Sequence, residues 1–135
     1  MRIKKELTDR LYALHPVLHI NAGEAKALAG CEDLDDALRT LYARTGNTVI
    51  ATMGADGVRC MEDGVIYSVV GEPADHVVDT IGAGDSHAGA TLLGLCRGMS
   101  LRSSLSMANR VSAAVVQTSG ATLSDEDFAR VIPAL

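Results

Sequence analysis

Two glycines and an aspartate, Gly82, Gly84 and Asp85, stand where an extended segment is predicted to turn into a helix. Because glycine has no β-carbon, a ligand can approach the backbone amides of residues 82–85 closely. The first amides of a helix have no partner inside the helix, and the helix dipole adds positive potential at that end. We therefore predict an anion hole at these residues, suited to a phosphoryl group in transfer.

Asp85 lies on the first turn of this predicted helix. From there its carboxylate can accept a proton from a hydroxyl that attacks a bound phosphoryl group. We predict that Asp85 is the general base of such a reaction. Without its neighbours, however, an aspartate at this position is also an ordinary helix-start residue.

The elements that must position these residues alternate between strands and helices. Apolar spacing and turn residues predict strands at residues 17–20, 48–52, 58–61 and 65–70, and an extended piece that ends at residues 77–79. They also predict helices at residues 3–14, 34–43, 101–116 and 125–131, a helix that starts at residue 22, and a helix from residue 82 to about residue 95. Glycines inside the helix that begins at residue 82 predict close packing there. The pattern indicates a single α/β domain, residues 1–135, with helices flanking a mostly parallel sheet and a small hairpin.

Composition limits the possible partners and location. The chain has 135 residues, of which 47% are apolar and 21% charged, so it can bury a core. Its net charge of -5, with no run of Lys or Arg, argues against a nucleic-acid surface. The three cysteines form no pairing pattern, the N-terminus is polar, and no apolar run approaches the roughly 20 residues that span a bilayer. We expect a cytoplasmic protein that does not enter the membrane.

The run from Asp79 to Asp85, Asp-Thr-Ile-Gly-Ala-Gly-Asp, resembles the D-T-x-G-A-G-D signature of the ribokinase-like carbohydrate kinases, also called the phosphofructokinase-B group. The resemblance implies a three-layer, ribokinase-like (Rossmann-like) fold and ATP-dependent phosphorylation of a hydroxyl on a small carbohydrate. It also implies that Asp85 is the catalytic base and that the amides of Gly82, Ala83 and Gly84 form the anion hole.

The same resemblance implies metal sites. Asp79 would help to bind a monovalent cation, usually potassium, with carbonyls near Gly120 as further ligands. Asn21-Ala22-Gly23-Glu24 resembles the N-x-x-E motif of the family, so Asn21 and Glu24 would organise magnesium and phosphate. Without the resemblance, Asp79 is a turn or cap residue, and N-x-x-E is most often a helix cap.

A further stretch, Thr52 to Gly57, resembles the T-x-G-x-x-G loop that contacts ATP in the family. Thr52 and Gly54 would then lie on the phosphate side, with Gly57 as a turn former, whereas alone the loop is a hairpin turn. Asn109 would line the adenine pocket, or else lie on an exposed helix face. His87, where relatives often carry an aromatic residue, is expected to pack beside the catalytic turn without taking part in chemistry.

Two other functions are compatible with parts of the sequence. Residues 82–88 also fit the G-x-G-x-x-x-A turn of a dinucleotide-binding oxidoreductase, which requires a following strand and an acid about 20 residues after the glycines. Instead a helix is predicted at 101–116, and no acid lies between Asp85 and Asp125.

The resemblance covers only the C-terminal portion of a family member, without its sugar-binding half. The chain could therefore be a partial domain that binds nucleotide without phosphorylating anything. We expect it to form a homo-oligomer or to associate with the missing N-terminal portion, because removing half of a parallel sheet exposes apolar surface and an open edge.

Overall fold

The computed structural model describes residues 2–120 and 123–132. These residues form two compact units, the first made of residues up to 52 with residues 59–68, and the second of residues 53–58 with those from 69 onward. That the whole chain is a single domain stays a prediction.

The first unit contains three helices and nearly all of a four-stranded sheet. Its elements in chain order are α1 (Arg2–Tyr12), β1 (Leu18–Asn21), α2 (Ala22–Ala29), α3 (Leu34–Thr45), β2 (Val49–Thr52), β3 (Val58–Glu62) and β4 (Val65–Val69). The strand order is β1-β2-β3-β4, and β1 runs parallel to β2 with Leu18 opposite Val49. An α/β fold with a parallel pair and a hairpin confirms the predicted class.

The core of the first unit lies where α3 covers β2. The side chains of Val49, Ile50 and Ala51 are buried along the strand, which fits a continuous β-branched and small apolar run. On α3, Leu38 and Leu41 are completely buried, as their spacing on one helix face predicts.

The hairpin of β3 and β4 is shaped by Asp63 and Gly64, whose φ angles of 50° and 79° are the positive values that a two-residue turn of type I′ requires. Its position against α3 is fixed by Arg59, whose guanidinium holds both carboxylate oxygens of Asp35 and also donates to Ser68 Oγ at 2.8 Å. The bonds from Arg59 hold the pKa of Asp35 below its usual value.

The second unit contains α4 (Ala83–Cys96), α5 (Leu101–Val115) and α6 (Asp125–Val131), with a short 3-10 turn at Gly54–Asp56. The close packing predicted for the glycines of α4 is confirmed at Gly94, where a β-carbon would lie 2.4 Å from Ser104 Oγ on α5. The prediction is wrong at Gly89, where a β-carbon would meet no atom within 4 Å.

The extended piece predicted at residues 77–79 is not a strand. The amides of Val78 and Asp79 both donate to the carbonyl of Val116, at 2.7 and 3.1 Å. Consecutive amides of a strand point in opposite directions, so two of them on one acceptor exclude strand pairing. The turn at residues 82–85 therefore follows a loop that is hydrogen-bonded to the residue after α5.

Among the described residues, no helix combines the length and apolar character needed to cross a membrane.

Candidate active site

In the first unit, three of the predicted site residues meet where β1 and β2 end. Asn21 and Thr52 are the last residues of these parallel strands and lie directly opposite each other in the sheet register. Glu24 follows on the first turn of α2. Ligands of α/β proteins bind beyond the carboxyl ends of parallel strands, so this edge is the expected place for a site.

Asn21 and Glu24 form a reciprocal cap on α2. The Asn21 carboxamide oxygen accepts the Glu24 amide at 2.8 Å, and the Asn21 amide donates to Glu24 Oε2 at 3.1 Å. The capping alternative is therefore confirmed. One oxygen of the exposed Glu24 carboxylate makes no hydrogen bond with the described residues, so the cap leaves a hard oxygen ligand facing solvent.

In the second unit, residues 53–57 form a tight loop closed by its own backbone. Met53 N–H donates to Gly57 O at 2.8 Å, and Gly57 N–H donates to Gly54 O at 3.1 Å. Gly54 and Gly57 both have positive φ, 59° and 91°. Gly57 is a turn former, as predicted.

The backbone of this loop touches the last residue of β4 and the segment that follows it. A β-carbon on Gly57 would lie 2.2 Å from Val69 O, and one on Gly71 would lie 2.2 Å from Ala55 O. Gly71 was missed by the sequence analysis because only the folded chain shows which backbone it approaches. The two glycines allow this contact.

Replacing Gly57 with Ala is expected to lower the free energy of unfolding by more than about 3 kcal/mol, because the new methyl group would overlap Val69 O at a positive φ. Urea unfolding measures the loss. The control is Gly64→Ala, which also has positive φ but open space around it and should cost about 1–2 kcal/mol. Equal losses for both variants would show that the close backbone approach does not exist.

The predicted anion hole begins with a turn. Gly82 has φ 78° and ψ −1°, the values of the third residue of a type II turn, and Ala83 N–H donates to Thr80 O at 3.3 Å. The prediction that all four amides of residues 82–85 are free is therefore wrong for Ala83, whose amide closes the turn. The amides of Gly82, Gly84 and Asp85 have no acceptor among the described residues.

Gly84 and Asp85 are exposed on the first turn of α4. A β-carbon on Gly84 would meet no atom within 4 Å, so packing does not demand glycine at this position. The Asp85 carboxylate makes no hydrogen bond or ion pair with any residue that the structure describes. Both residues are open to a ligand that reaches the start of a 14-residue helix.

Asp79 stabilises the turn before the helix. Its Oδ1 accepts the Ile81 amide at 2.9 Å, and its Oδ2 lies 3.4 Å from the amide of Gly120. The turn-residue alternative is therefore confirmed. The same bond brings the segment at Gly120 next to Asp79, while residues 121 and 122 lie outside the described part of the chain.

Asn109 is buried, so the alternative that it lies on an exposed helix face is wrong. Its amide nitrogen donates to Val69 O and Val70 O, and its oxygen faces His87 Nε2 at 2.9 Å. Its polar atoms are occupied inside the protein. His87 is buried two residues after Asp85 on α4, in agreement with the expected packing beside the turn at residues 82–85.

The dinucleotide-binding alternative requires a strand after α4. The structure has a helix there, α5, running from Leu101 to Val115. This alternative is therefore wrong.

Comparisons with known proteins identify the family of the chain. A model described as pfkB family carbohydrate kinase matches residues 2–127. Fructoselysine 6-kinase of Escherichia coli (strain K12) is 31% identical over 105 residues, which are 78% of this chain and 40% of that protein.

Solved structures show the same fold. Aminoimidazole riboside kinase from Salmonella enterica, complexed with aminoimidazole riboside and an ATP analog, has a TM-score of 0.79 at 29% identity, over 94% of this chain and 46% of that one. Adenosine kinase from Sinorhizobium meliloti has a TM-score of 0.77 at 30% identity, over 84% of this chain and 35% of that one.

The fold and these comparisons together define a ribokinase-like α/β protein. The chain belongs to the pfkB family of carbohydrate kinases. It spans between 35% and 46% of the length of the three relatives described above.

Proposed function

We propose that this chain is the nucleotide-binding and phosphoryl-transfer part of an ATP-dependent kinase that phosphorylates a hydroxyl of a small carbohydrate. One observation carries the proposal. The turn at Gly82, Gly84 and Asp85 presents three backbone amides without acceptors among the described residues, together with an exposed carboxylate, at the start of a long helix.

In the proposed reaction, the three amides hold oxygens of the transferred phosphoryl group and stabilise the negative charge that they carry. The Asp85 carboxylate accepts the proton of the attacking hydroxyl. The hydroxyl oxygen forms a bond to the γ-phosphorus as the bond from that phosphorus to the β–γ bridging oxygen breaks, and ADP leaves with the electron pair. Because the amides are fixed by the turn, little reorganisation accompanies the transfer.

The residues present fit the metal ions that the family implies. Glu24, with one free carboxylate oxygen, and Asn21 would hold magnesium, an ion that keeps several waters and needs few protein ligands. Magnesium, when bound, neutralises charge on the phosphate oxygens. Asp79 and carbonyls near Gly120 would hold potassium, since the contact between them already places a carboxylate beside this backbone. Thr52 and Gly54 would contact the ATP phosphates.

The acceptor is proposed only as a class. The relatives are named for fructoselysine, aminoimidazole riboside and adenosine, which share a sugar hydroxyl as a chemical group. A small carbohydrate or nucleoside is therefore the proposed substrate. It would be bound by the sugar-binding portion of the kinase, which has no counterpart in this chain. The cytoplasm is the proposed location, in keeping with Cys31, Cys60 and Cys96, none of which forms a disulfide.

We propose further that the chain associates with another polypeptide, either a second copy or the rest of the kinase. On and after α1, the side chains of Leu7, Leu11, Leu14 and Val17 are all more than half exposed. Burial of such a stripe is worth about 25 cal/mol for each Å² removed from water. Sedimentation velocity of the isolated chain is expected to show dimers or larger species at micromolar concentration, and a single monomeric species would contradict self-association.

Calorimetry of Mg-ATP binding to this chain tests the nucleotide role. Heat that saturates at one site per chain is expected, and no saturable heat up to millimolar nucleotide would contradict the proposal. A transfer assay with carbohydrate acceptors then separates an active kinase part from a module that only binds nucleotide.

A further inference from the structure

Two buried polar side chains in the second unit join three segments of the chain. His87 on α4 and Asn109 on α5 are exposed by only 4% and 5%. His87 Nε2 lies 2.9 Å from Asn109 Oδ1, and Asn109 Nδ2 donates to Val69 O at 3.2 Å and to Val70 O at 2.9 Å. We call this set of bonds the His87–Asn109 clamp.

The partners of the clamp fix the direction of every bond in it. Backbone carbonyls only accept hydrogen bonds, so the nitrogen of the Asn109 carboxamide must face Val69 and Val70. Its oxygen must then face His87. Consequently His87 Nε2 carries a hydrogen and donates it to Asn109, and a side chain without a donor at this point would leave a buried oxygen unpaired.

The clamp ends on the backbone that supports the loop at residues 54–57. Residues 69–71 contact this loop through Gly57 and Gly71, whose missing β-carbons permit the approach. At its other end, His87 lies half a turn of α4 after Asp85. A continuous series of contacts therefore runs from the turn at residues 82–85 to the loop at 54–57.

We propose that His87 and Asn109 are positioning residues that set the distance between the loop at residues 54–57 and the amides of residues 82–85, so that one nucleotide can contact both. This inference rests on the proposed function. A nucleotide that spans two segments already held at the right distance binds without the cost of ordering them. A ligand that reaches only the amides gains nothing from the clamp.

The test compares two ligands by calorimetry on the full chain. His87→Phe keeps a planar aromatic ring but removes the donor, and it should raise the Kd for Mg-ATP about tenfold, which is about 1.4 kcal/mol. Inorganic phosphate, a single group that can occupy the amides of residues 82–85 without also reaching residues 54–57, should bind with unchanged Kd. His87→Gln, whose amide can donate to Asn109, should restore the Kd for Mg-ATP to within about threefold of the wild type.

The matched control is Thr91→Val, which removes the bond from Thr91 Oγ1 to the His87 carbonyl at 2.8 Å but leaves the clamp intact. Its thermal midpoint should fall while its Kd for Mg-ATP stays at the wild-type value. If His87→Phe does not fold, the smaller His87→Leu serves with the same expectation.

Unchanged Mg-ATP binding by the donor-free variant would overturn the clamp as a positioning device. Equal weakening of both ligands would also overturn it, since the damage would then lie at the turn and not in the spacing. Failure of the proposed function looks different, because the wild type itself would then bind neither ligand.

Discussion

Replacing Asp85 with Asn in the active kinase is expected to lower kcat by about 10²–10⁴-fold, the usual contribution of a general base. The Kd for Mg-ATP should stay within about threefold of the wild type, because the substitution keeps the shape of the side chain and leaves the backbone amides in place. Steady-state phosphoryl transfer measures kcat, and calorimetry measures the Kd for Mg-ATP.

The control is Asp125→Asn, the same chemical change on the first turn of α6, where Asp125 is also exposed. It should leave both quantities unchanged. If Asp85→Asn kept more than a tenth of the wild-type kcat, Asp85 would not be the base.

Replacing Gly84 with Val is expected to raise the Kd for Mg-ATP at least about 100-fold, by placing a branched side chain where a phosphate must approach the amides. The fold should survive, since a β-carbon at this position meets no atom within 4 Å. Calorimetry gives the Kd, and a thermal melt shows that the protein remains folded.

Gly89→Val is the matched control for this change. Gly89 lies on the same helix, and a β-carbon there also meets no atom within 4 Å, so the cost of valine to the helix is comparable. Nucleotide binding by this variant should be normal. If both valine variants bound Mg-ATP equally well, Gly84 would have no part in an anion hole.

Local patterns predicted the elements that carry most of the fold. Asn21 with Glu24 gave the start of α2 because the capping box is formed within four residues, and the apolar spacing gave α3 and α5 to within about two residues at each end. Such features depend on neighbours in the sequence. One amino-acid sequence is therefore sufficient to predict them.

The errors arose where distant parts of the chain decide the structure. Val77 and Val78 are β-branched, but the amides of Val78 and Asp79 donate to the carbonyl of Val116, nearly 40 residues away, and no strand forms. The amide of Ala83 was predicted to be free, whereas the turn begun by Gly82 uses it. The spacing of the glycines predicts a turn, but only the folded backbone shows which amides already donate a hydrogen bond within it.

The structure changes the interpretation of Asn109 more than that of the other candidate site residues. The alternative of an exposed helix face is wrong, because the Asn109 carboxamide is buried and is hydrogen-bonded to Val69, Val70 and His87. That Asn109 lines an adenine pocket stays a prediction. No local pattern could show these hydrogen bonds, because its partners lie 22 to 40 residues away in the sequence.

The central claim is that three backbone amides at the start of α4 bind the phosphates of a nucleotide. The most direct measurement is a titration of the ¹⁵N-labelled chain with Mg-ATP, followed by the amide resonances in NMR spectra. The largest saturable shifts are expected at Gly82, Gly84 and Asp85, with Gly89 unchanged as the internal reference. Saturable binding that leaves the resonances of Gly82, Gly84 and Asp85 unmoved would contradict the claim.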